Sequence, residues 1–338
     1  MRFVSTALFF VLVLTFGGVH TLAAQPALED WQLSHGGFVT ASDVRNHNAL
    51  PQDRGDLLAA LQAAPPDYRS ALEIFAFGKH FPWRGKTHSL GRFSDDYNGA
   101  MPAILPHSVA HWGNPSFQVG PAFSALAGTA GFQGMEDSLR IAMVEVGTLA
   151  TIINWTRFEL AISERKALAP EPNRSLKNGS PKNWNEIFAF HWGPEGLHSV
   201  HAALESVPGG AAVNAALYRT LADGQVHLLE QHWAPVEAAA VAQLLDEGSP
   251  RLFHAALDSI ESTSDDQARA QAAVYARGLW LAAAEPMLRL VPDEIDSIAT
   301  AFAGRGDPDS VPFATAAVEK ALEQDELVVA FPQRPVHR

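Results

Sequence analysis

The residues able to do chemistry concentrate between positions 73 and 201, and they are histidines and acids. The densest run is Trp184-Asn185-Glu186-Ile187-Phe188-Ala189-Phe190-His191-Trp192-Gly193. Glu186 stands there among large apolar side chains. A carboxylate in that setting must be paired, metal-bound or protonated, because burying its charge alone is costly. The plainer alternative is an exposed Glu at a helix N-terminus, where the helix dipole favours it. His191, in the same run, adds an imidazole. Carboxylate oxygen with imidazole nitrogen is a donor set for iron, zinc, manganese or calcium rather than copper(I).

Further candidates follow the same logic. Glu195 and His198 are three apart and would share a face of a helix, as Glu-x-x-His pairs do in di-iron bundles. No convincing second pair accompanies them, and a solvated helix start explains them equally. Glu145 is the lone charge in an apolar run from Met143 to Trp155, and Glu159 lies two heptads later near the same stripe. Those two acids can form half a metal site, or be neutralised by Arg140 and Arg157. His107 and His111 are four apart, a two-His clamp if the segment is helical. Glu73 and His80 fall two turns apart on one predicted helix. The patch from His80 to Arg92, with Lys79, Arg84 and Lys86, offers an anion site or a surface loop that pairs with the acidic excess. The sequence contains no phosphate-binding P-loop, no GxGxxG after a strand, and no HExxH, GxSxG or EF-hand spacing. The common nucleotide and hydrolase readings therefore fall away.

These residues need helices to position them. Apolar periodicity begins near Asp56, breaks at Pro65-Pro66 and resumes behind Asp67. The strongest helix is predicted over 136–165, where Leu139, Ala142, Val146, Leu149, Ile153 and Leu160 recur at heptad-like spacing. Its other faces are apolar too, so it belongs at the centre. Pro170, Pro172, Asn178, Gly179 and Pro181 mark 167–182 as a surface loop. A helix is expected over 184–192, then one from Pro194 to about Glu205 with the proline in its first turn. Helices follow at 211–222, 225–246, 249–260, 265–286, 292–303 and 309–324. Val328-Val329-Ala330 is the only strand candidate. The fold class expected is all-α, a bundle of about eight or more helices in one domain over 25–338.

The opening residues carry one Arg, an apolar run from Phe9 to Leu14, and small residues at Ala23 and Ala24. That is the pattern of a cleaved secretory signal over 1–24, too short and Gly-broken for a membrane span. A periplasmic or secreted protein is expected, with no transmembrane segment after signal removal. The chain has no cysteine, so disulfides and thiolate metal sites are excluded. Beyond the signal, 23 basic residues face 37 acidic ones, a charge of −14. Nucleic acid is not an expected partner.

The run from Trp184 to Gly193 resembles the Trp-Asp-Glu-x-x-Ala-Phe-Tyr-x-Gly motif of the iron-assimilating, low-iron-inducible periplasmic proteins first known from algae. Leu72-Glu73-Ile74-Phe75 with Gly78-Lys79, the stretch from Gly147 to Leu160, and Ala272 to Pro286 resemble other helices of that family. The resemblance covers about 70–290. It implies a helical extracytoplasmic protein that assists iron acquisition, with a membrane iron transporter as partner. By position it points to Glu186, then to Glu159 and Glu73. Asn185 replaces the family's Asp and His191 its Tyr, which favours a mixed nitrogen and oxygen site. The algal proteins also contain cysteine. A more distant likeness is to the imelysin-like helical proteins, although Gly196-Leu197-His198-Ser199-Val200-His201 only partly echoes their Gly-x-His-x-x-Glu signature.

The expected function is capture of a metal ion, iron with zinc as the alternative. The candidate ligands are Glu73, His107, His111, Glu145, Glu159, Glu186, His191 and His198, and no catalytic residue is assigned. Two other readings stay open: a metal-dependent enzyme using the same cluster, and a metal-free helical module that binds an organic ligand or a protein.

Overall fold

The computed structural model describes residues 28–83, 86–91, 104–113, 119–129, 131–295, 298 and 311–326. The proposed signal segment and the Val328–Ala330 strand candidate lie outside them. The chain divides into two compact units, Met1–Asp30 and Trp31–Arg338. In the first, the described residues 28–30 are exposed and end in a turn. The second unit is all-α, as expected.

Two short antiparallel hairpins are its only strands among the described residues. β1 (Ser34–His35) pairs with β2 (Phe38–Val39), and β3 (Phe81–Trp83) pairs with β4 (Lys86–His88). At two or three residues each they are too short to show an alternating pattern in sequence. The helices are α1 (Arg45–Asn48), α2 (Leu50–Leu61), α3 (Tyr68–Phe77), α4 (Pro106–Trp112), α5 (Gly120–Ala127) and α6 (Asp137–Ala167). They continue with α7 (Ser180–Trp192), α8 (Val200–Glu205), α9 (Gly210–Leu229), α10 (Pro235–Ser262), α11 (Asp266–Leu290) and α12 (Val311–Glu326). No described helix is long and apolar enough to cross a membrane.

α6 is the axis of the bundle. It packs against α2, α5, α7, α8, α10 and α11, which is why nearly all its faces read as apolar. Gly278 lets α11 approach it closely, since a Cβ there would overlap Val146. Asp67 caps α3 by accepting from the Ser70 N–H at 3.0 Å, and Asp265 caps α11 through Ala268 at 2.7 Å.

Several boundaries differ from the sequence expectation. α2 begins at Leu50 rather than near Asp56, because Pro51 sits in its first turn, where a missing N–H costs nothing. Separate helices are expected over 225–246 and 249–260, yet one helix, α10, spans that break and runs through Pro250. The buried Arg157 side chain braces that turn, donating to the Leu245 carbonyl at 3.2 Å and to Ser249 Oγ at 2.6 Å. Glu195 and His198 do not share a helical face. Pro194–Gly196 is a single 3-10 turn, and both residues adopt φ of +53°. His80 likewise lies beyond the end of α3, past Gly78.

A buried carboxylate pair under a basic rim

α6 and α7 together hold the site. α7 starts behind Gly179 with Pro181 in its first turn. Buried Asn185 ties α7 to the segment after β2 by accepting from the Ala41 N–H at 2.7 Å, and it donates back to the Pro181 carbonyl one turn earlier in α7 at 2.6 Å. A carboxylate at 185 could accept the first bond but not donate the second. Asn185 therefore has a positioning role.

The α6–α7 seam brings Glu159 and Glu186 together, each 5% exposed. Asn183 Nδ2 donates to Glu159 Oε2 at 2.5 Å and to Glu186 Oε2 at 2.8 Å. His47 Nε2, from α1, lies 3.0 Å from Glu186 Oε1, and Lys182 Nζ lies 3.6 Å from the same oxygen. Lys166 Nζ donates to Asn183 Oδ1 at 2.6 Å and to the Asn178 carbonyl at 2.8 Å, which fixes the amide that bridges the two acids. Lys182 also donates to the Asp43 carbonyl. His47 Nδ1 has no hydrogen-bond partner among the described residues.

The two carboxyls titrate in opposite directions. Burial and the neighbouring Glu186 charge push Glu159 well above the usual carboxylate range. Burial would raise Glu186 too, but His47 and then Lys182 outweigh it and hold Glu186 low. Of the two, Glu159 therefore favours its protonated form and Glu186 its ionised form. Burial lowers Lys166, an effect partly offset by both acids.

A cavity of about 510 Å³ opens onto this pair. Phe81, Trp155, Phe158 and Ile162 form its apolar wall, and Trp155 and Phe158 stack with ring centroids 4.7 Å apart. Arg165, Lys166, Lys177 and Lys182 supply positive charge. A second, more open depression lies beyond His47 and Lys182, which line both.

The other sequence candidates lie elsewhere. Glu73 is exposed on α3 and pairs with Arg69 at 3.3 Å. His107 bonds Glu285 at 2.9 Å, while His111 sits edge-on to Trp112 and Trp280. Both are on α4, so their helical spacing is real, but each has its own surroundings. Glu145 is half-buried on α6, and its carbonyl accepts from Arg54 at 2.9 Å. His191 is buried at the far end of α7, where its Nε2 bonds Asn214 Oδ1 at 2.8 Å. The His198 ring fills the space left by Gly55, and its carbonyl accepts from Arg54 at 3.1 Å. Of the eight, only Glu159 and Glu186 meet. Among the described residues no group of three or more His, Asp and Glu is arranged to hold a metal ion.

His47, Asn183, Lys166 and Lys182 complete the site, and sequence reasoning did not find them. Lys182 and Asn183 precede Glu186 by four and three residues, so helical spacing was an available signal. His47 comes from a segment read as irregular and carried none. Comparisons with protein-family models, curated proteins and solved structures return no match.

Proposed function

We propose that this chain is an extracytoplasmic binding protein whose cavity between α6 and α7 takes up a small organic ligand bearing an anionic group. The observation that carries this reading is the pairing of a half-open, partly aromatic cavity with four basic side chains, Arg165, Lys166, Lys177 and Lys182. The two buried carboxyls oppose that charge only in part, because burial holds Glu159 above the usual carboxylate range. The cavity therefore attracts negative charge despite the acidic chain around it. Its volume falls within the range of small-molecule pockets. The test is calorimetric titration with mono-, di- and tricarboxylates and phosphate esters, on wild type and on the Arg165→Ala/Lys177→Ala double variant, whose altered side chains are exposed. Affinity for a subset, lost in the variant, supports the reading. No affinity for any, or affinity unchanged in the variant, removes it.

A second reading keeps the iron-acquisition role implied by the algal resemblance, with a membrane transporter as recipient. It draws on His47, Glu159 and Glu186 all lining one cavity, although no three described His, Asp or Glu side chains are arranged to hold a metal ion. Metal analysis of the purified protein beside Glu186→Ala tests it. Near-stoichiometric iron in the wild type and none in the variant supports it. Protein that takes up neither iron nor zinc eliminates it.

A further inference from the structure

The floor and the mouth of the cavity differ in what they leave unsatisfied. At the floor the two carboxyls are already engaged. Glu186 faces His47 at 3.0 Å and Lys182 at 3.6 Å, and Asn183, held by Lys166, donates to both acids. At the mouth, the exposed side chains of Arg165 and Lys177 have no hydrogen-bond or ion-pair partner among the described residues. Between them runs an apolar strip. Trp155, Phe158, Ile162 and Arg165 line the cavity from α6, at steps of three and four residues that share one helical face. At about 1.5 Å per residue, that face runs roughly 10 Å from Phe158 to Arg165. The Trp155 and Phe158 rings stack on each other, and they are 2% and 4% exposed. Neither presents an open face, so the strip suits an alkyl chain rather than a stacked ring.

Building on the anion-binding reading, we propose that the ligand is an aliphatic monocarboxylate, with its carboxylate at Arg165 and Lys177 and its chain along Ile162 and Phe158. The Arg165 guanidinium can hold both carboxylate oxygens, and Lys177 adds a point charge. The chain covers the apolar strip and asks nothing of the floor, whose polar groups already satisfy one another. A second carboxylate at the far end of the chain would be carried toward Glu186, which favours its ionised form, and toward cations that are already paired. A short acid would leave the strip uncovered.

The test is calorimetric titration of the full chain with four probes: octanoate, acetate, octanedioate and octanol. Octanoate is expected to bind at least about tenfold more tightly than each of the others, a difference of about 1.4 kcal/mol. Arg165→Ala/Lys177→Ala is expected to erase its advantage over octanol, and Ile162→Ala to reduce its advantage over acetate. If acetate binds as tightly as octanoate, or Ile162→Ala changes nothing, the chain's seat is overturned and the anion-binding reading stands. If octanedioate binds as tightly, the floor accepts a second anion, and the monocarboxylate is overturned while the anion-binding reading stands. If octanol does, the anionic end fails, and the anion-binding reading fails with it. If none of the four binds, the aliphatic acid is excluded, while tricarboxylates and phosphate esters still judge the anion-binding reading.

Discussion

Glu159 and Glu186 accept hydrogen bonds from the same nitrogen, Asn183 Nδ2, at 2.5 and 2.8 Å. Two ionised carboxylates would not sit this close in a buried seam. Glu159 holds a proton more strongly than Glu186, because burial raises it while His47 and Lys182 both face Glu186.

That asymmetry predicts unequal substitutions. Glu159→Gln keeps an acceptor for Asn183 and stays neutral, so its stability at pH 7 should lie within about 1 kcal/mol of wild type. Glu186→Gln leaves His47 and Lys182 facing an uncharged amide and should cost about 3 kcal/mol. The pH dependence has opposite signs. Glu159 is raised, so its contribution is complete below 4.5, its ordinary value, and fades as pH rises. Glu186 is lowered, so its contribution is present above 4.5 and is lost on acidification. Urea unfolding between about pH 2 and 8 checks both, and Glu159→Gln should gain on wild type as pH rises.

His191 predicts a separate acid transition. Its imidazole is fully buried, and burial lowers it from 6.5 to about 4. The neutral form is favoured by folding, so its contribution is present above pH 6.5 and is lost as pH falls toward 4. The full effect is about 3 kcal/mol. His191→Gln, which can still donate to Asn214 Oδ1, should flatten the stability profile in that window. An unchanged profile would show that the acid sensitivity arises elsewhere, with His35 and His201 the next groups to test.

The Arg157 network predicts a third asymmetry. Arg157 is buried and meets Asp246 Oδ1 at 3.1 Å, while half-exposed Arg289 meets Asp246 Oδ2 at 2.7 Å. Asp246→Asn removes the carboxylate bonded to Arg157 and leaves it neutral hydrogen-bond partners with only the Glu285 negative charge nearby, at about 3 kcal/mol. Arg289→Ala removes a screened surface partner and should cost about 1 kcal/mol or less. Equal losses in denaturant unfolding would mean that the Asn154, Ser249 and carbonyl acceptors satisfy Arg157 without a counter-charge.

Which parts of this protein were legible in sequence follows from where the signal is local. α6 announces itself because a helix surrounded by helices is apolar on every face. Asp67 before α3 is a local cap. Glu159 and Glu186 stand out as charges inside apolar runs, and the structure brings those two together. Their partners did not stand out, because nothing near His47 in sequence indicates that α1 packs on α7. Glu195 and His198 misled for a backbone reason: spacing places side chains on one face only if the chain is helical, and both residues are left-handed. The expected break between 246 and 249 misled for a tertiary one, since local propensity does not see Arg157 arriving from α6.

Gly193 gives the last prediction, because it links the end of α7 to the site. It adopts φ 64°, ψ −177°, a region open essentially to glycine alone. A Cβ there would also stand 2.9 Å from the Cβ atoms of Pro51 and Ser199. Gly193→Ala should therefore cost about 2–3 kcal/mol from strain, with some further loss from the contacts. Pro51 lies in the first turn of α2, four residues after His47. Relief of the clash by movement of Pro51 would shift His47 from Glu186 Oε1. If the cavity is the binding site, Gly193→Ala should weaken ligand binding as well as stability, although residue 193 does not line it. Gly55→Ala is the control. Its Cβ would press on the His198 ring, away from the acid pair, and it should lower stability while leaving affinity in the folded protein unchanged. Equal effects of both variants on binding would show that affinity tracks global stability rather than the position of His47.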